Sequence, residues 1–150
     1  PGGFLLPPNP EIVAGLPYYE LHVLGVERGR ADTLRRVAAH AERLDATAAL
    51  SLPDAYQRIT ALPGVGVWSA AEVGRVALGD PDAVSVGDYH VKNQVAFALA
   101  GEPRATDERM LELLEPYAGQ RGRVQRLIEL ARLGPPRRAP RARIRSIANS

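Results

Sequence analysis

The sequence contains no cysteine. It can therefore form no disulfide bond, no thiolate zinc site and no cysteine-ligated iron–sulfur cluster. It also has no apolar stretch long enough to cross a bilayer as a helix. The first residues lack the basic start and the apolar core of a secretion signal. These absences predict a cytoplasmic protein without membrane association.

Lysine is almost absent, because Lys92 is the only one and the other basic residues are arginines. The 150 residues carry a formal net charge of +2. That length and an ordinary apolar content fit one folded domain with its own core. Arginine is suited to bidentate contacts with phosphate groups, so a phosphate-bearing partner is compatible with this composition.

The apolar residues recur at helical spacing, which predicts an all-α fold of about seven helices. We predict a short helix over 10–16, an amphipathic helix over 29–44 and a last helix over 120–133. The predicted N-caps are Asn9, Ser51 and Thr106. Leu34 and Leu127 are predicted to face the core. Several arginines lie on the outer face of the second of these helices, which we interpret as solvated: Arg30, Arg35, Arg36 and Arg43. Arg30 could instead reach a phosphate.

A tight turn between two helices occupies the stretch Leu62-Pro63-Gly64-Val65-Gly66. Its two glycines allow a sharp bend and a close approach by another surface. The helix that follows carries Ala70, Val73, Val76 and Ala77 on one face. Unpaired amide groups at such a turn can bind an anion such as a backbone phosphate. A purely structural turn between packed helices explains the same residues.

A break at 79–82 and a β-prone run at 83–86 precede Gly87 and Asp88. Asp88 occupies an N-cap position before a helix, where amide groups keep a carboxylate ionised. It either only caps the helix or also stabilises positive charge in a reaction. Lys92 lies one turn further and is a candidate ion-pair partner for Asp88.

Together, the Leu-Pro-Gly-Val-Gly hairpin, Trp68 and the run Asp88-Tyr89-x-x-Lys92 resemble the helix-hairpin-helix (HhH-GPD) DNA glycosylase superfamily. The resemblance is strongest over residues 59–94 and points to the bacterial 3-methyladenine DNA glycosylase II branch. It implies a helical-bundle domain over 1–133 followed by a basic tail over 134–150. That tail is either a solvated end or an arm for nucleic acid. Family members carry further helices upstream, so the domain is expected to be truncated at its N-terminus relative to them.

The resemblance also implies roles for individual residues. Asp88 would be catalytic, and Trp68 and Tyr89 would form the base pocket, although both could instead be simple core aromatics. Double-stranded DNA with an alkylated base would be the partner of a monomer associated with the nucleoid. The residues expected to contact that DNA are Leu62, Pro63, Gly64, Val65, Gly66, Ser69 and Lys92.

The resemblance further implies no organic cofactor, but a monovalent cation held by the carbonyl groups of Thr60, Leu62 and Val65. Bifunctional relatives carry a lysine nucleophile where this sequence has Trp68, so hydrolysis without strand cleavage is expected. Two other interpretations remain open. The chain could be a non-enzymatic DNA-binding module or an inactive part of a glycosylase, or an all-α interaction domain with no role on DNA.

Overall fold

A computed structural model describes residue 3 and residues 6–136. The all-α prediction is confirmed: every regular element in these residues is helical. The predicted tail boundary stays a prediction, because residues 137–150 lie outside the described part. The α-helices are α1 Pro10–Gly15, α2 Tyr18–His22, α3 Arg28–Ala39, α4 Ala41–Asp45, α5 Leu52–Thr60, α6 Val67–Ala77, α7 Val91–Ala100, α8 Asp107–Leu114 and α9 Arg121–Leu130, with short 3₁₀ helices at Ala46–Ala49 and Glu115–Tyr117.

Three helices begin at the predicted capping residues. Asn9 accepts a hydrogen bond from the Glu11 amide before α1, and Ser51 and Thr106 cap α5 and α8 in the same manner. A side-chain oxygen at the N-cap replaces an acceptor that the first turn of a helix lacks. Local sequence therefore determines where these helices begin.

The predicted helix over 29–44 is in fact two helices, and the break falls at His40. The Nδ1–H of His40 donates to the carbonyl oxygen of Arg36 at 2.8 Å. In a continuous helix that carbonyl would accept the backbone N–H of His40, which instead bonds to Val37. The side chain thus competes with the helical ladder and ends α3.

The predicted end of the last helix at residue 133 is also wrong. Helix α9 ends at Leu130, and Arg132 adopts a left-handed conformation with φ of 54°. The Leu133 amide then bonds back to the carbonyl of Ile128 at 3.1 Å, which is the pattern of a Schellman cap.

The main core lies between α7, α8 and α9. Its buried side chains are Val91, Val95, Met110, Leu114 and Ile128. Leu34 and Leu127, which were predicted to face the core, are exposed, and so are Val73 and Val76 of α6. Helical periodicity identifies an apolar face but does not reveal whether another element covers it.

The α5–α6 pair forms a helix-hairpin-helix element beside α3. Gly64 of the hairpin has φ of 91°, and a Cβ atom there would lie 2.1 Å from Oγ1 of Thr33. Both the backbone conformation and the close approach to α3 require glycine. Among the described residues, no helix is long and apolar enough to span a membrane.

Candidate active site

Asp88 lies in the loop between α6 and α7, and its carboxylate accepts three hydrogen bonds. Oδ1 accepts the amides of His90 and Val91 at 2.7 and 2.9 Å. Oδ2 accepts the indole Nε1–H of Trp68 at 3.2 Å. The carboxylate thus accepts two of the amides that it was predicted to cap, but Asp88 is not the N-cap residue: α7 begins at Val91, and its N-cap is His90.

Partial burial raises the pKa of the Asp88 carboxyl, but the surrounding donors lower it by more. These donors are the amides of Val91 and His90 and the indole of Trp68. The pKa of Asp88 therefore lies below that of an ordinary aspartate, and the group is a fixed anion at neutral pH.

Lys92 does not pair with Asp88, which corrects the sequence-based interpretation. Its Nζ lies 2.9 Å from Oδ2 of Asp107, at the start of α8. Oδ1 of Asp107 accepts the amide of Gly87 at 3.0 Å. The Gly87 amide, and then the Lys92 ammonium, lower the pKa of Asp107. Asp107 thus ties the Asp88 loop to α8.

Two aromatic residues near Asp88 remain open to solvent: Trp68 bonds to its carboxylate, and Tyr89 is the next residue in the chain. Trp68 is 44% exposed and Tyr89 is 78% exposed. The ring of Tyr89 meets that of His90 edge-on, with 4.9 Å between ring centroids. The interpretation of these two side chains as simple core aromatics is therefore wrong.

The hairpin presents amide groups that are available to a ligand. In the described part of the chain, the backbone N–H groups of Gly64, Gly66, Val67, Trp68 and Ser69 have no acceptor. Between Gly64 and Ser69, only the amide of Val65 forms a hydrogen bond within the described residues, to the carbonyl of Leu62 at 3.0 Å. Because the indole of Trp68 bonds to Asp88, the carboxylate lies beside the first turn of α6, directly after the hairpin.

Helix α9 holds the start of the Asp88 loop. The guanidinium group and the backbone amide of Arg121 both donate to the carboxylate of Asp82. The amide nitrogen lies 2.8 Å from Oδ1 of Asp82. The amide of Arg123 donates to the carbonyl of Pro81 at 3.0 Å. Gly122 packs so closely that a Cβ atom would lie 2.4 Å from the carbonyl oxygen of Ala83.

The predicted β-prone run at 83–86 is not a strand. Its backbone bonds to a side chain instead: the Ser85 amide donates to Oε1 of Gln125 at 2.9 Å. The carbonyl of Ser85 in turn accepts the amide of Asp88 at 3.2 Å. A fully buried glutamine on α9 therefore supports the peptide that holds Asp88.

Gln125 belongs to a closed ring of five polar side chains between α6 and α9. Its Nε2 donates to Ser85 Oγ at 2.9 Å and to Glu129 at 2.7 Å, and Ser85 Oγ donates to Glu72 at 2.5 Å. Arg75 closes the ring through Glu72 and Glu129, at 2.5 and 3.3 Å. Each of these five side chains thus has a hydrogen-bond partner, as buried polar groups require.

Sequence reasoning missed three of the residues that hold the loop, although two carried a signal. Gln125 lies on the same face of α9 as buried Ile128 and Gly122, so it is a polar residue at a core position. Asp107 follows the Thr106 cap, but a first-turn acid is common enough at helix starts to be overlooked. Arg121 carried no signal of its own.

Comparisons with known proteins were made for the whole chain. No protein-family model matches the sequence, and no curated protein sequence matches it. A solved structure that is similar is the 3-methyladenine DNA-glycosylase from Archaeoglobus fulgidus, with a TM-score of 0.70 and 22% identity. The alignment covers 83% of this chain and 43% of that one. The chain thus has the fold of a DNA glycosylase and spans less than half the length of that structure.

Proposed function

We propose that this protein is a monofunctional DNA glycosylase that hydrolyses the N-glycosidic bond of alkylated purines. One observation carries the proposal. A carboxylate accepts three hydrogen bonds, one of them from the exposed indole of Trp68 at the start of the helix after the hairpin, and the exposed Tyr89 is the next residue in the chain. The proposal includes a monomer that acts on double-stranded DNA in the nucleoid of the cytoplasm.

Asp88 would act on the sugar of a nucleotide flipped out of the duplex. Cleavage of a glycosidic bond passes through an oxocarbenium-like state. A nearby carboxylate stabilises that cation and orients or deprotonates the attacking water. The donors around Asp88 support this role because they keep it ionised and fix its position.

Trp68 and Tyr89 would receive the damaged base. Alkylated purines of the 3-methyladenine type are cationic, so they leave readily and need little acid assistance. An electron-rich aromatic face attracts such a cation by about 0.5–2 kcal/mol. The exposure of both rings supports this role, since a ligand can reach them.

The hairpin would hold one phosphate of the DNA backbone. The open amides of Gly64, Gly66 and Ser69 support this, because a helix N-terminus favours an anion. Leu62, Pro63 and Val65 shape the turn. Lys92 uses one ammonium proton on Asp107 and has two more for a phosphate oxygen.

The same hairpin would hold the monovalent cation through carbonyl oxygens. Within the described residues, the carbonyls of Thr60 and Val65 accept no hydrogen bond, and that of Leu62 accepts only the Val65 amide. These oxygens are therefore suitable ligands for a hard cation. When bound, the ion would stabilise the turn and add positive charge near the phosphate.

Simple hydrolysis is expected, without cleavage of the DNA strand. Trp68 occupies the place of the lysine nucleophile of bifunctional relatives, and Lys92 is bound to Asp107. A lysine whose ammonium group is engaged by a carboxylate is a poor nucleophile. A protein–DNA adduct trapped by borohydride on damaged DNA would contradict this part of the proposal.

The test measures release of free base from methylated duplex DNA by the wild type and by the Asp88→Asn variant. We expect the variant to lose at least about 100-fold in rate, the scale for one catalytic acid–base group. The matched control is Asp32→Asn, which removes a carboxylate from α3 and should leave the rate unchanged. Base release by Asp88→Asn at the wild-type rate would refute the assignment.

A second candidate is a DNA-binding module without catalytic activity. One observation favours it: a cleft of about 380 Å³, lined mainly by apolar residues between α3 and α6, does not include Asp88, Trp68 or Tyr89. In that case the protein would bind duplex DNA, and neither it nor any variant would release a base.

A further inference from the structure

A second, basic cleft includes Pro63, the residue before Gly64 of the hairpin. It measures about 200 Å³ and is bounded by α3, α4, α5 and the hairpin. Its lining residues are Arg36, His40, Arg43, Leu44, Arg58, Ala61, Leu62 and Pro63. Three helices thus bring three guanidinium groups to one cleft, together with the imidazole of His40.

The three arginines have no carboxylate partner. Within the described residues, Arg36, Arg43 and Arg58 take part in no ion pair. Arg75 and Arg121, by contrast, each bind two carboxylates. Like charges placed together repel one another, so a cluster without acids is suited to an anion from outside.

Backbone contacts orient the cluster and leave donors available. Arg36 Nη1 donates to the carbonyl of Pro63 at 2.5 Å, and Arg58 Nη1 donates to the carbonyl of Arg43 at 3.4 Å. A guanidinium has five N–H donors, so most remain for a ligand. His40 uses Nδ1 on the Arg36 carbonyl and keeps Nε2.

Pro63 connects this cleft to the hairpin amides. Its carbonyl receives Arg36, and the next residue, Gly64, begins the series of amides without acceptors. An extended chain of phosphates laid on the hairpin would therefore reach the cleft next. The two-pronged guanidinium group of arginine can donate two parallel hydrogen bonds to phosphate oxygens. A phosphodiester chain, which carries one phosphate after another, therefore suits a site that continues from the hairpin amides to these arginines.

We infer that Arg36, Arg43 and Arg58 form a second phosphate site, which holds the DNA backbone phosphate adjacent to the one on the hairpin. The inference rests on the proposed function for its ligand, duplex DNA. It departs from the interpretation of Arg36 and Arg43 as part of a solvated face. Contacts of this kind fix the register of the duplex and carry no sequence information.

The experiment measures duplex DNA affinity against salt concentration. The test variant is Arg43→Gln/Arg58→Gln, which spares the Arg36 contact with the hairpin. Its matched control, Arg104→Gln/Arg132→Gln, removes the same charge outside the cleft. Each phosphate contact contributes about 0.9 to the slope of log K against log salt. We expect the test variant to reduce that slope by about one, equally on damaged and undamaged duplexes, and the control to change it little.

A third variant, Arg43→Lys/Arg58→Lys, keeps both charges and should restore most of the slope. Equal slopes for test and control variants would overturn the inference. The result is separable from the fate of the proposed function. If base release depends on Asp88 but the test and control variants have equal salt slopes, the glycosylase function is supported and the second phosphate site is not. If the salt slope depends on the arginine cluster but no base is released, the second phosphate site is supported in a protein that only binds DNA.

Discussion

The indole N–H of Trp68 lies 3.2 Å from Oδ2 of Asp88, across twenty residues of sequence. This bond joins the first turn of α6 to the loop before α7. In the proposed function, Trp68 therefore has two roles: its ring contacts the damaged base, and its indole N–H donates to the Asp88 carboxylate. The two roles can be separated by substitution.

Trp68→Phe keeps an aromatic face and removes the donor. Loss of a hydrogen bond to a charged group costs on the order of 1.5 kcal/mol, so base release should fall by about tenfold. The pKa of Asp88 should rise, because one of the donors that lower it is gone. Activity requires the ionised form, so the acid limb of the pH–rate profile should move to higher pH.

Single-turnover base release between pH 4 and 8 checks this prediction. Tyr89→Phe is the control, since the Tyr89 hydroxyl forms no hydrogen bond in the described residues and its ring is retained. An unchanged acid limb in Trp68→Phe, with a reduced rate, would show that the indole serves the base and not the carboxylate.

Asp107→Asn removes the ion pair with Lys92. The pKa of Asp107 is lower in the folded protein than the value of about 3.9 in the unfolded chain. The ionised carboxylate therefore stabilises the folded protein at pH values above about 3.9. This stabilisation is lost as the pH falls through the folded-state pKa. The variant should be less stable at pH 7 by up to about 1 kcal/mol. The difference should shrink below about pH 4.

Urea unfolding at pH 7 and pH 3 measures these free energies. Asp54→Asn, an exposed acid in the first turn of α5, is the comparison. A stability difference between wild type and Asp107→Asn that stays constant over this pH range would exclude the carboxylate as its source.

Gln125→Leu removes the buried support of Ser85. The Ser85 amide would lose its acceptor, which costs about 1–3 kcal/mol in a buried place. We expect a lower free energy of unfolding and faster amide hydrogen exchange at Ser85 and Asp88. Gln57→Leu, on the exposed face of α5, should cause neither change. If the Ser85 and Asp88 amides of a stable Gln125→Leu variant remain protected from hydrogen exchange, the loop that carries Asp88 does not depend on the ring of polar side chains around Gln125.

Gly122→Ala places a methyl group against the backbone of Ala83. Neither backbone can give way as a flexible side chain would, so overpacking should cost about 1–3 kcal/mol. Gly29→Ala in α3 has open space around its Cβ and should be neutral or slightly stabilising. Thermal unfolding of the two variants side by side checks the prediction. Equal melting temperatures would contradict the close contact.

The sequence alone was sufficient where the determining interactions are local. Helical periodicity predicted an all-α fold, and Asn9, Ser51 and Thr106 cap helices as expected. The bonds from the His90 and Val91 amides to Asp88 also span only two and three residues. Interactions of this range depend on backbone geometry that a few neighbouring residues determine.

Tertiary structure decided which groups meet across long separations. Lys92 had Asp88 within one turn, yet it pairs with Asp107, because the packing of α8 against α7 brings that carboxylate to it and the amides of α7 already occupy Asp88. Gln125 reaches Ser85 from forty residues away, and Arg36, Arg43 and Arg58 converge from three helices. Such contacts depend on how helices cross, which the pattern of a single helix does not specify.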